Sequence, residues 1–411
     1  MINELRKLES GHRPIRIAVV GAGGSMGKGI CLQTKLTPGL RLVAAIDINI
    51  EGAEEAARLS GHSGVLFNSE LLPILDKIKI DVLVEATNTV EFAAKACIAA
   101  LERKIHVVLM NAEIDLLLGP YLHHFAKKNG VIITSDAGDQ YGVVARMVRE
   151  IQLWGFKLVM LGNIKGFLNR YAMKEKMREE AKKRFLNVVQ CVAYTDGTKL
   201  NIEQALLANG FGLKPWVRGM QGPRCDDVEN VFEKFDFTRY DEGVVDYILG
   251  AKPGGGVFVV GYCDEPLQRR YLEYYKRGEG PYYLFYRPYH LCHLETPEAI
   301  ATAFLYKKKI LEPLGKSTGV FAFAKKDLYK GLAIRSAIGG DDFYGLIDAR
   351  ENAKDLVPIA LLDTDGTAAI ILNRSKNQDE PLCWSDLDFP ETSLLDLYQK
   401  QELLLEDQIK R

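Results

Sequence analysis

The stretch that decides the fold is Val20-Gly21-Ala22-Gly23-Gly24-Ser25-Met26-Gly27. It follows the apolar run Ile15–Val20 and precedes a helical pattern, which is the context in which a glycine motif binds a dinucleotide. Glycines in such a turn permit a tight bend, a close approach of the backbone to a pyrophosphate and close packing of helix on strand. A plain glycine-rich turn is the alternative interpretation. The cofactor-binding residues predicted in this turn are Gly21, Gly23, Gly24, Ser25, Met26 and Gly27.

A second marker of dinucleotide binding is Asp47, which ends the next apolar run. A carboxylate in this position accepts hydrogen bonds from the adenosine ribose, and it would repel the 2′-phosphate of NADP. The sequence therefore predicts NAD or NADP as cofactor and favours NAD. Thr87, Asn88 and Asn111 follow two further apolar runs and are predicted to line the crevice for ribose and nicotinamide.

The first third of the chain alternates short β-branched runs with amphipathic helical stretches. The runs are Ile15–Val20, Arg41–Ile46, Asp81–Glu85, His106–Leu109, Val131–Ser135 and Lys157–Leu161. Strands this apolar are typical of a parallel sheet that is buried on both faces. The pattern predicts an α/β fold with an N-terminal Rossmann domain, a doubly wound parallel sheet.

Length, charge and cysteine content exclude several classes of protein. The chain has 411 residues and a net charge of −1, which argues against a nucleic-acid or anionic-membrane binder. It contains neither a secretory apolar segment nor the roughly 20 consecutive apolar residues of a membrane helix. The seven cysteines are scattered without a CxxC pair. We therefore expect a cytoplasmic protein with reduced thiols.

The rest of the chain loses the regular alternation. The stretch Arg170–Arg184 is predicted as a charged amphipathic helix within an α+β substrate domain. From about Gly319, short runs with glycine and aspartate turns predict a small, mostly β, barrel-like unit. An exposed tail helix is predicted from Glu391. We predict a Rossmann domain over residues 1-150, a catalytic α+β domain over 151-315, and the β domain with its tail over 316-411.

Two groups of charged residues are candidates for catalysis. Glu113 follows the strand His106–Leu109 and faces the expected nicotinamide position, although a helix N-cap role for this segment is the alternative. The second group of candidates is Lys165, Asp196, Lys199 and Glu203. In this group a lysine can polarise a carbonyl, and a carboxylate can relay the proton. The alternative is that Lys199 and Glu203, four residues apart on one helix face, form only an exposed ion pair.

A third group surrounds Arg287 and His290. We expect Arg287 to bind a substrate anion and His290 to act as acid, base or hydrogen-bond donor. His290, His293 and Glu295 could instead bind a metal ion, but their spacing matches no standard helical metal motif. No metal ligands are therefore predicted.

Together these motifs resemble the homoserine dehydrogenase-like oxidoreductases that carry a C-terminal SAF domain, the 1-deoxy-D-xylulose 5-phosphate reductoisomerase-like group. Homoserine dehydrogenases carry a lysine after the asparagine that ends the run His106–Leu109, whereas this sequence has Asn111-Ala112-Glu113. The resemblance thus implies fold and reaction class rather than substrate. It rests on the glycine turn, Glu85-Ala86-Thr87, His106-Val107-Val108 with Glu113, Asp196-Gly197-Thr198-Lys199 with Glu203 and Asn209, Tyr286-Arg287-Pro288-Tyr289-His290 with Glu295, Ala324-Lys325-Lys326-Asp327-Leu328, Gly339-Gly340 and Tyr344-Gly345.

The sequence as a whole predicts an NAD(P)-dependent oxidoreductase. Its substrate is expected to be a small, polar and anionic carbonyl or alcohol compound, such as a sugar phosphate. The alternatives are a metal-dependent reductoisomerase of a phosphorylated ketose, a homoserine dehydrogenase, or a non-catalytic dinucleotide-binding scaffold. A divalent metal belongs only to the reductoisomerase alternative. We expect a homo-oligomer, with a dimer as the default.

Overall fold

The computed structural model describes residues 1–239, 242–364 and 368–409. Its first region carries a six-stranded parallel sheet in the order β3-β2-β1-β4-β5-β6. This is the strand order of a Rossmann fold, and it confirms the predicted α/β class. The elements are α1 (Ile2–Ser10), β1 (Ile15–Val20), α2 (Ser25–Leu36), β2 (Leu40–Ile46), α3 (Ile50–Leu59), β3 (Leu66–Asn68), α4 (Leu72–Lys77), β4 (Val82–Glu85), α5 (Glu91–Glu102), β5 (His106–Leu109), α6 (Ala112–Asn129), β6 (Ile133–Ser135) and α7 (Gln140–Leu153).

The central strands of this sheet are buried on both faces. Every residue of β4 and β5 is buried, as the uninterrupted apolar runs predict. The short edge strand β3 is only half-buried, and its weak apolar pattern explains why the sequence did not predict it. The sheet order reverses between β1 and β4, and the carboxyl ends of these strands therefore flank the crevice in which such folds bind ligands.

The second region contains a mixed sheet in the order β11-β10-β7-β9-β8. Lys157–Leu161 was expected to continue the first alternation, but it begins β7, the central strand of this second sheet. The elements are β7 (Lys157–Lys165), α8 (Lys174–Lys183), α9 (Val188–Thr195), α10 (Thr198–Phe211), β8 (Lys214–Pro215), α11 (Val231–Lys234), β9 (Val244–Leu249), β10 (Val257–Tyr262), α12 (Pro266–Tyr274), β11 (Tyr282–Arg287) and α13 (Cys292–Tyr306).

Two helices of this region position the site. Helix α10 is buried from Thr198 to Gly210, so both its apolar and its charged side chains lie inside the protein. Helix α13 returns to the first region: Ala299 and Ile300 belong to the same apolar cluster as Ile17 and Val19 of β1. The loop that precedes α13 is thereby held close to the carboxyl end of the parallel sheet.

The described part of the third region contains five strands, arranged in two small sheets, and a long C-terminal helix. Strands β12 and β14 pair antiparallel and pack on α10. Strands β13, β15 and β16 form the second sheet. The elements are β12 (Thr318–Ala324), β13 (Ala333–Ile334), β14 (Phe343–Ala349), β15 (Ile370–Leu372), β16 (Leu387–Asp388) and α14 (Ser393–Ile409).

The prediction that the tail helix is exposed is wrong. Leu394, Leu397 and Tyr398 of α14 are buried, and Gln401 Nε2 donates a hydrogen bond of 2.8 Å to the carbonyl oxygen of Leu117. These residues recur at helical spacing and therefore form one face, which packs on α6. Among the described residues, no helix combines the length and apolar character needed to cross a bilayer.

Candidate active site

Two glycines of the turn, Gly21 and Gly27, have no room for a side chain. Gly21 has a φ of +77°, and a Cβ atom on it would lie 2.6 Å from the carbonyl oxygen of Ala86. A Cβ atom on Gly27 would lie 2.1 Å from the carbonyl oxygen of Gly21. Gly24 is the N-cap of α2, so the free N–H groups of the helix open into the crevice. This geometry fits the pyrophosphate of a dinucleotide, which needs close backbone approach and a helix N-terminus.

The carboxylate of Asp47 lies directly against this turn. Its Oδ2 atom accepts a hydrogen bond of 2.8 Å from the backbone N–H of Gly23, and its Oδ1 atom accepts one of 2.9 Å from Asn49. The residue directly follows β2, one strand away from the turn that follows β1. The carboxylate therefore stands where a Rossmann fold presents an acid to the adenosine ribose.

A cavity of about 290 Å³ extends from the glycine turn across the carboxyl ends of β4 and β5. It brings together most of the predicted cofactor-binding residues with the predicted catalytic residues Glu113 and Lys199. The predicted residues in its wall are Gly24, Ser25, Met26, Thr87, Asn88, Asn111, Glu113 and Lys199. The cavity also reaches segments of the second and third regions, so all three regions of the chain contribute to one site.

Two strand ends in this wall are fixed by polar contacts. The buried carboxyl of Glu85 accepts hydrogen bonds from the backbone and the hydroxyl of Thr87, and burial raises its pKa to about 7. Asn111 accepts a hydrogen bond of 3.3 Å from the backbone of Ile114 and donates one of 2.8 Å to the carbonyl oxygen of Thr89. Asn111 therefore caps α6 and also fixes the loop after β4.

Lys199 and Glu113 form an ion pair in the cavity wall. Lys199 Nζ lies 3.0 and 3.2 Å from the two carboxylate oxygens of Glu113. The side chains are only 10% and 15% exposed, so the pair is shielded from water. Burial by itself lowers the pKa of Lys199, but the nearby Glu113 carboxylate outweighs burial and raises the pKa above its usual range. Lys199 is therefore a permanent cation that faces the cavity.

Glu203 and Lys165 are two further ionisable groups near this pair; Glu203 is buried and Lys165 is half-buried, and neither lines the cavity wall. Both carboxyl oxygens of Glu203 lack a hydrogen-bond partner, and burial together with Asp139 raises its pKa to about 8. Lys165 Nζ lies 5.5 Å from the centre of the Tyr194 ring, and burial lowers its pKa. An acid that keeps its proton near neutrality, next to an amine that loses one readily, is suited to proton transfer. The exposed ion pair considered for Lys199 and Glu203 is wrong, because both residues are buried.

The structure separates Asp196 from the other predicted catalytic residues. Asp196 Oδ2 lies 2.9 Å from Lys325 Nζ, and its Oδ1 atom accepts a hydrogen bond of 2.8 Å from the backbone of Thr198. Both carboxylate oxygens are thus engaged outside the cavity wall. The sequence neighbourhood of Asp196 and Lys199 suggested one cluster, but the turn between α9 and α10 directs the two side chains differently.

The side chains of Arg287 and His290 also have different partners and do not meet in one substrate pocket. Arg287 Nη1 lies 2.8 Å from Glu295 Oε2, and its guanidinium stacks 4.4 Å from the centre of the Tyr289 ring. Glu295 also pairs with Arg146, so two arginines engage the carboxylate that the alternative metal site with His290 and His293 would have used. His290 instead points toward Asp139, with 4.0 Å between Nδ1 and Oδ1. Arg287 is therefore already neutralised, whereas His290 lies near the cavity.

Several residues of the cavity wall were not among the predicted site residues. They include Tyr194, Cys292, Ser336 and Asp363. Asp363 accepts hydrogen bonds from the hydroxyl of Ser336 and from the backbone of Ala337 and Ile338, and burial raises its pKa to about 6. No local motif marks these residues, because Tyr194 and Cys292 reach the crevice through the packing of the second region, and Ser336 and Asp363 through that of the third. No role was predicted for Cys292.

Two protein-family models match consecutive parts of the chain. Residues 15–136 match the N-terminus of dihydrodipicolinate reductase. Residues 138–296 match the catalytic domain of oxidoreductase DRL. The first match coincides with the Rossmann sheet, and the second contains Asp139, Lys165, Lys199 and Glu203. The division between the two matches falls at the carboxyl end of the parallel sheet, where the cavity lies.

The chain also resembles several solved structures. A probable dehydrogenase from Thermotoga maritima is 12% identical, with a TM-score of 0.46 over 72% of this chain and 90% of that one. A myo-inositol dehydrogenase from Corynebacterium glutamicum is 13% identical, with a TM-score of 0.40 over 67% and 75%. A dipicolinate-bound dihydrodipicolinate reductase from Paenisporosarcina is 14% identical, with a TM-score of 0.40 over 72% and 97%. Because these TM-scores lie below 0.5, the function rests on the family models and the site. Together they identify the chain as an NAD(P)-dependent oxidoreductase.

Proposed function

We propose that this enzyme exchanges hydride between NAD(P) and a small, polar, anionic carbonyl or alcohol compound of the sugar-phosphate type. The observation that carries the proposal is the Lys199–Glu113 pair, which faces the glycine turn across one cavity. The Asp47 carboxylate favours NAD over NADP, because a 2′-phosphate would meet a negative charge there.

Side chains in and near the cavity stabilise charge on the substrate oxygen and transfer its proton. The nicotinamide supplies hydride exchange at its C4 atom. Lys199 Nζ donates a hydrogen bond to the substrate oxygen and stabilises negative charge on it, while Glu113 fixes the position of the ammonium group. Glu203 holds a proton that it can exchange with this oxygen, and Lys165, whose pKa burial lowers, is a second group nearby that can take part in proton transfer.

An anionic substrate suits the charges of the buried wall. Lys199 is a cation of the cavity wall, and an anionic group of the substrate can pair with its ammonium group from the cavity side, opposite Glu113. Ser336 from the third region and Gln190 from α9 add neutral hydrogen-bonding groups to the wall. Neutral donors next to a buried cation are a common way to bind a phosphate or carboxylate group.

Three further features belong to the same proposal. The motifs Ala324-Lys325-Lys326-Asp327-Leu328 and Tyr344-Gly345 lie at the end of β12 and on β14, which supports a SAF domain over residues 316–411. The other two proposed units are residues 1–150 and 151–315.

All seven cysteines are free, which suits a reducing compartment such as the cytoplasm. A homo-oligomer remains our expectation for the assembly.

The test combines cofactor binding with turnover. NADH and NADPH are titrated by fluorescence, and NAD(P)-linked turnover is then measured on matched phosphorylated and unphosphorylated sugars. In Lys199→Met we expect turnover to fall by about 10²–10⁴-fold with unchanged cofactor affinity, because a positioned donor to the reacting oxygen is lost. Lys214→Met is the matched control, since Lys214 forms an exposed pair with Glu351 at 2.8 Å. The proposal is overturned if the protein binds neither NADH nor NADPH, or if Lys199→Met keeps full turnover.

A further inference from the structure

We propose that Asp139, His290 and Cys292 bind a zinc-type transition metal ion at the edge of the cavity. His290 Nδ1 lies 3.5 Å from Cys292 Sγ and 4.0 Å from Asp139 Oδ1, and one ligand atom from each residue lies within 4.8 Å of the others. A tetrahedral zinc ion with bonds of about 2.3 Å to sulfur and 2.0 Å to nitrogen separates these two atoms by about 3.5 Å. The three side chains therefore need only small shifts to bind one ion.

The backbone holds these ligands together. Asp139 is the N-cap of α7, and Cys292 begins α13, so the ligands come from two helices more than 150 residues apart. The backbone N–H of Cys292 donates a hydrogen bond of 2.9 Å to the carbonyl oxygen of Gly138. A Cβ atom on Gly138 would lie 1.8 Å from the carbonyl oxygen of Cys292, so only glycine permits this approach. Cys292 itself has a φ of +27°, a conformation that non-glycine residues rarely adopt outside functional sites.

Gln140 supplies the outer contact that a metal-binding histidine requires. Its Nε2 atom lies 3.5 Å from His290 Nε2, while its Oε1 atom is buried without a hydrogen-bond partner. The oxygen and nitrogen of an amide are exchanged by a simple flip, which places Oε1 opposite the imidazole. Oε1 then accepts the Nε2–H bond, and the Nδ1 lone pair points at Cys292 and Asp139. Metal-ligating histidines use their second nitrogen in this way.

The charges around the site also favour a cation. Asp139 brings a carboxylate oxygen to 4.0 Å from His290 Nδ1, and the same nitrogen lies 3.5 Å from Cys292 Sγ. A bound dication would stabilise the thiolate of Cys292 and compensate the charge of the Asp139 carboxylate. A thiolate and an imidazole select zinc or a similar transition metal over magnesium or calcium, which prefer oxygen ligands.

The position of the site suggests a catalytic rather than a structural ion. Asp139 and Cys292 line the same cavity as Lys199. Three protein ligands with an open fourth position are the arrangement of catalytic zinc sites, whereas structural sites have four protein ligands. The fourth position faces the cavity, where it can take water or a substrate oxygen. The assignment to a substrate oxygen rests on the proposed function, but metal binding itself does not.

The test uses the full chain after chelator treatment, with Zn²⁺ and Co²⁺ as probes. We expect one zinc ion per chain by elemental analysis, and a thiolate-to-cobalt charge-transfer band in the near-ultraviolet after loading with Co²⁺. Cys292→Ser should abolish this band, and Cys292→Ser and His290→Gln should both lose the bound zinc. Gln140→Leu should weaken zinc affinity by about 10–100-fold while retaining the band, as loss of an outer-shell partner does. Cys383→Ser is the matched control, because Cys383 is also a partly exposed free thiol but lies far along the chain, beside Asp386.

The inference is overturned if the wild-type chain takes up no stoichiometric zinc, if its cobalt form lacks the thiolate band, or if Cys292→Ser keeps wild-type affinity. The wild-type measurements hold even if a variant fails to fold, which circular dichroism would show. NADH titration of the same samples separates the two proposals. Bound NADH without zinc removes only the metal site, whereas bound zinc without any cofactor binding removes the proposed function.

Discussion

Lys325 Nζ lies 2.9 Å from Asp196 Oδ2, and both side chains are completely buried. Lys325 also donates hydrogen bonds to the carbonyl oxygens of Ala172 and Gly340, so all three of its donors are used. The pair joins the end of β12 to the turn that starts α10, three residues before Lys199. The third region therefore fixes the helix that carries Lys199 and Glu203.

Removal of one partner of this pair should strongly destabilise the fold. In Lys325→Met the Asp196 carboxylate stays buried without its cation, and we expect the free energy of unfolding to fall by about 3–5 kcal/mol. Urea denaturation measures the change. Lys326→Met is the control, because Lys326 is 48% exposed and pairs with Asp342 at the surface. Adding Asp196→Asn should recover part of the loss; equal stability of the two lysine variants would contradict the prediction.

Two glycines of the turn should respond differently to alanine. Gly27→Ala places a Cβ atom 2.1 Å from the Gly21 carbonyl oxygen, so it should lower the melting temperature and abolish NADH binding. Gly24→Ala meets the same oxygen at 3.4 Å, an ordinary contact, so it should fold normally. Because Gly24 faces the cavity, NADH affinity should still fall in this second variant. Thermal melting and fluorescence titration distinguish the two effects, and unimpaired NADH binding in Gly27→Ala would refute this account of the turn.

The part of the fold that follows from local patterns could be predicted from the sequence. Runs such as Ile15–Val20 and His106–Leu109 are strands with exactly those limits, because buried parallel strands need uninterrupted apolar residues. The glycine turn was predictable for a similar reason, because it joins a strand to a helix and Gly27 packs on Gly21 only six residues earlier. The tail helix was predicted to be exposed, because nothing in its own sequence shows that α6 covers one face of α14.

The candidate site was predictable only in part, because its pairs are long-range. Lys199 and Glu113 were both predicted, yet their contact joins residues 86 positions apart. Asp196 was grouped with Lys199 by proximity in sequence, whereas its partner Lys325 lies 129 positions away. The spacing of residues along the sequence does not indicate which distant residues form such pairs. The wall residues Ser336 and Asp363 depend on the docking of an entire region, which one sequence does not specify locally.

The charge of Asp47 should control the choice between NAD and NADP. Asp47→Asn keeps an oxygen for the Gly23 N–H group but removes the negative charge that opposes a 2′-phosphate. We expect the preference for NADH over NADPH to fall by about tenfold, equivalent to about 1.4 kcal/mol. Fluorescence titration with both cofactors gives the ratio of dissociation constants. Glu51→Gln, an exposed acid in the first turn of α3, is the control, and an unchanged ratio in Asp47→Asn would exclude this role.

The ionisation of Glu203 should make stability depend on pH. Burial raises its pKa from the ordinary value of 4.5 to about 8, so between these pH values the folded chain holds a proton that the unfolded chain has released. A proton bound more tightly by the folded state makes stability fall as pH rises, and this contribution is lost between about 4.5 and 8. Glu203→Gln mimics the neutral acid at every pH and lacks this dependence.

The comparison of Glu203→Gln with the wild type isolates this group from Glu85, Asp115 and Asp136, whose pKa values burial also raises, to about 7. These other groups titrate in both proteins, so their effect largely cancels in the difference. We expect the variant to gain stability relative to the wild type as the pH of urea denaturation rises from below 5 to above 8. The sign follows because, at high pH, only the wild type must either bury the charged Glu203 carboxylate or keep Glu203 protonated above the pKa that it has in the unfolded chain. A constant difference across this range would show that Glu203 is ionised in the folded enzyme and cannot be its proton donor.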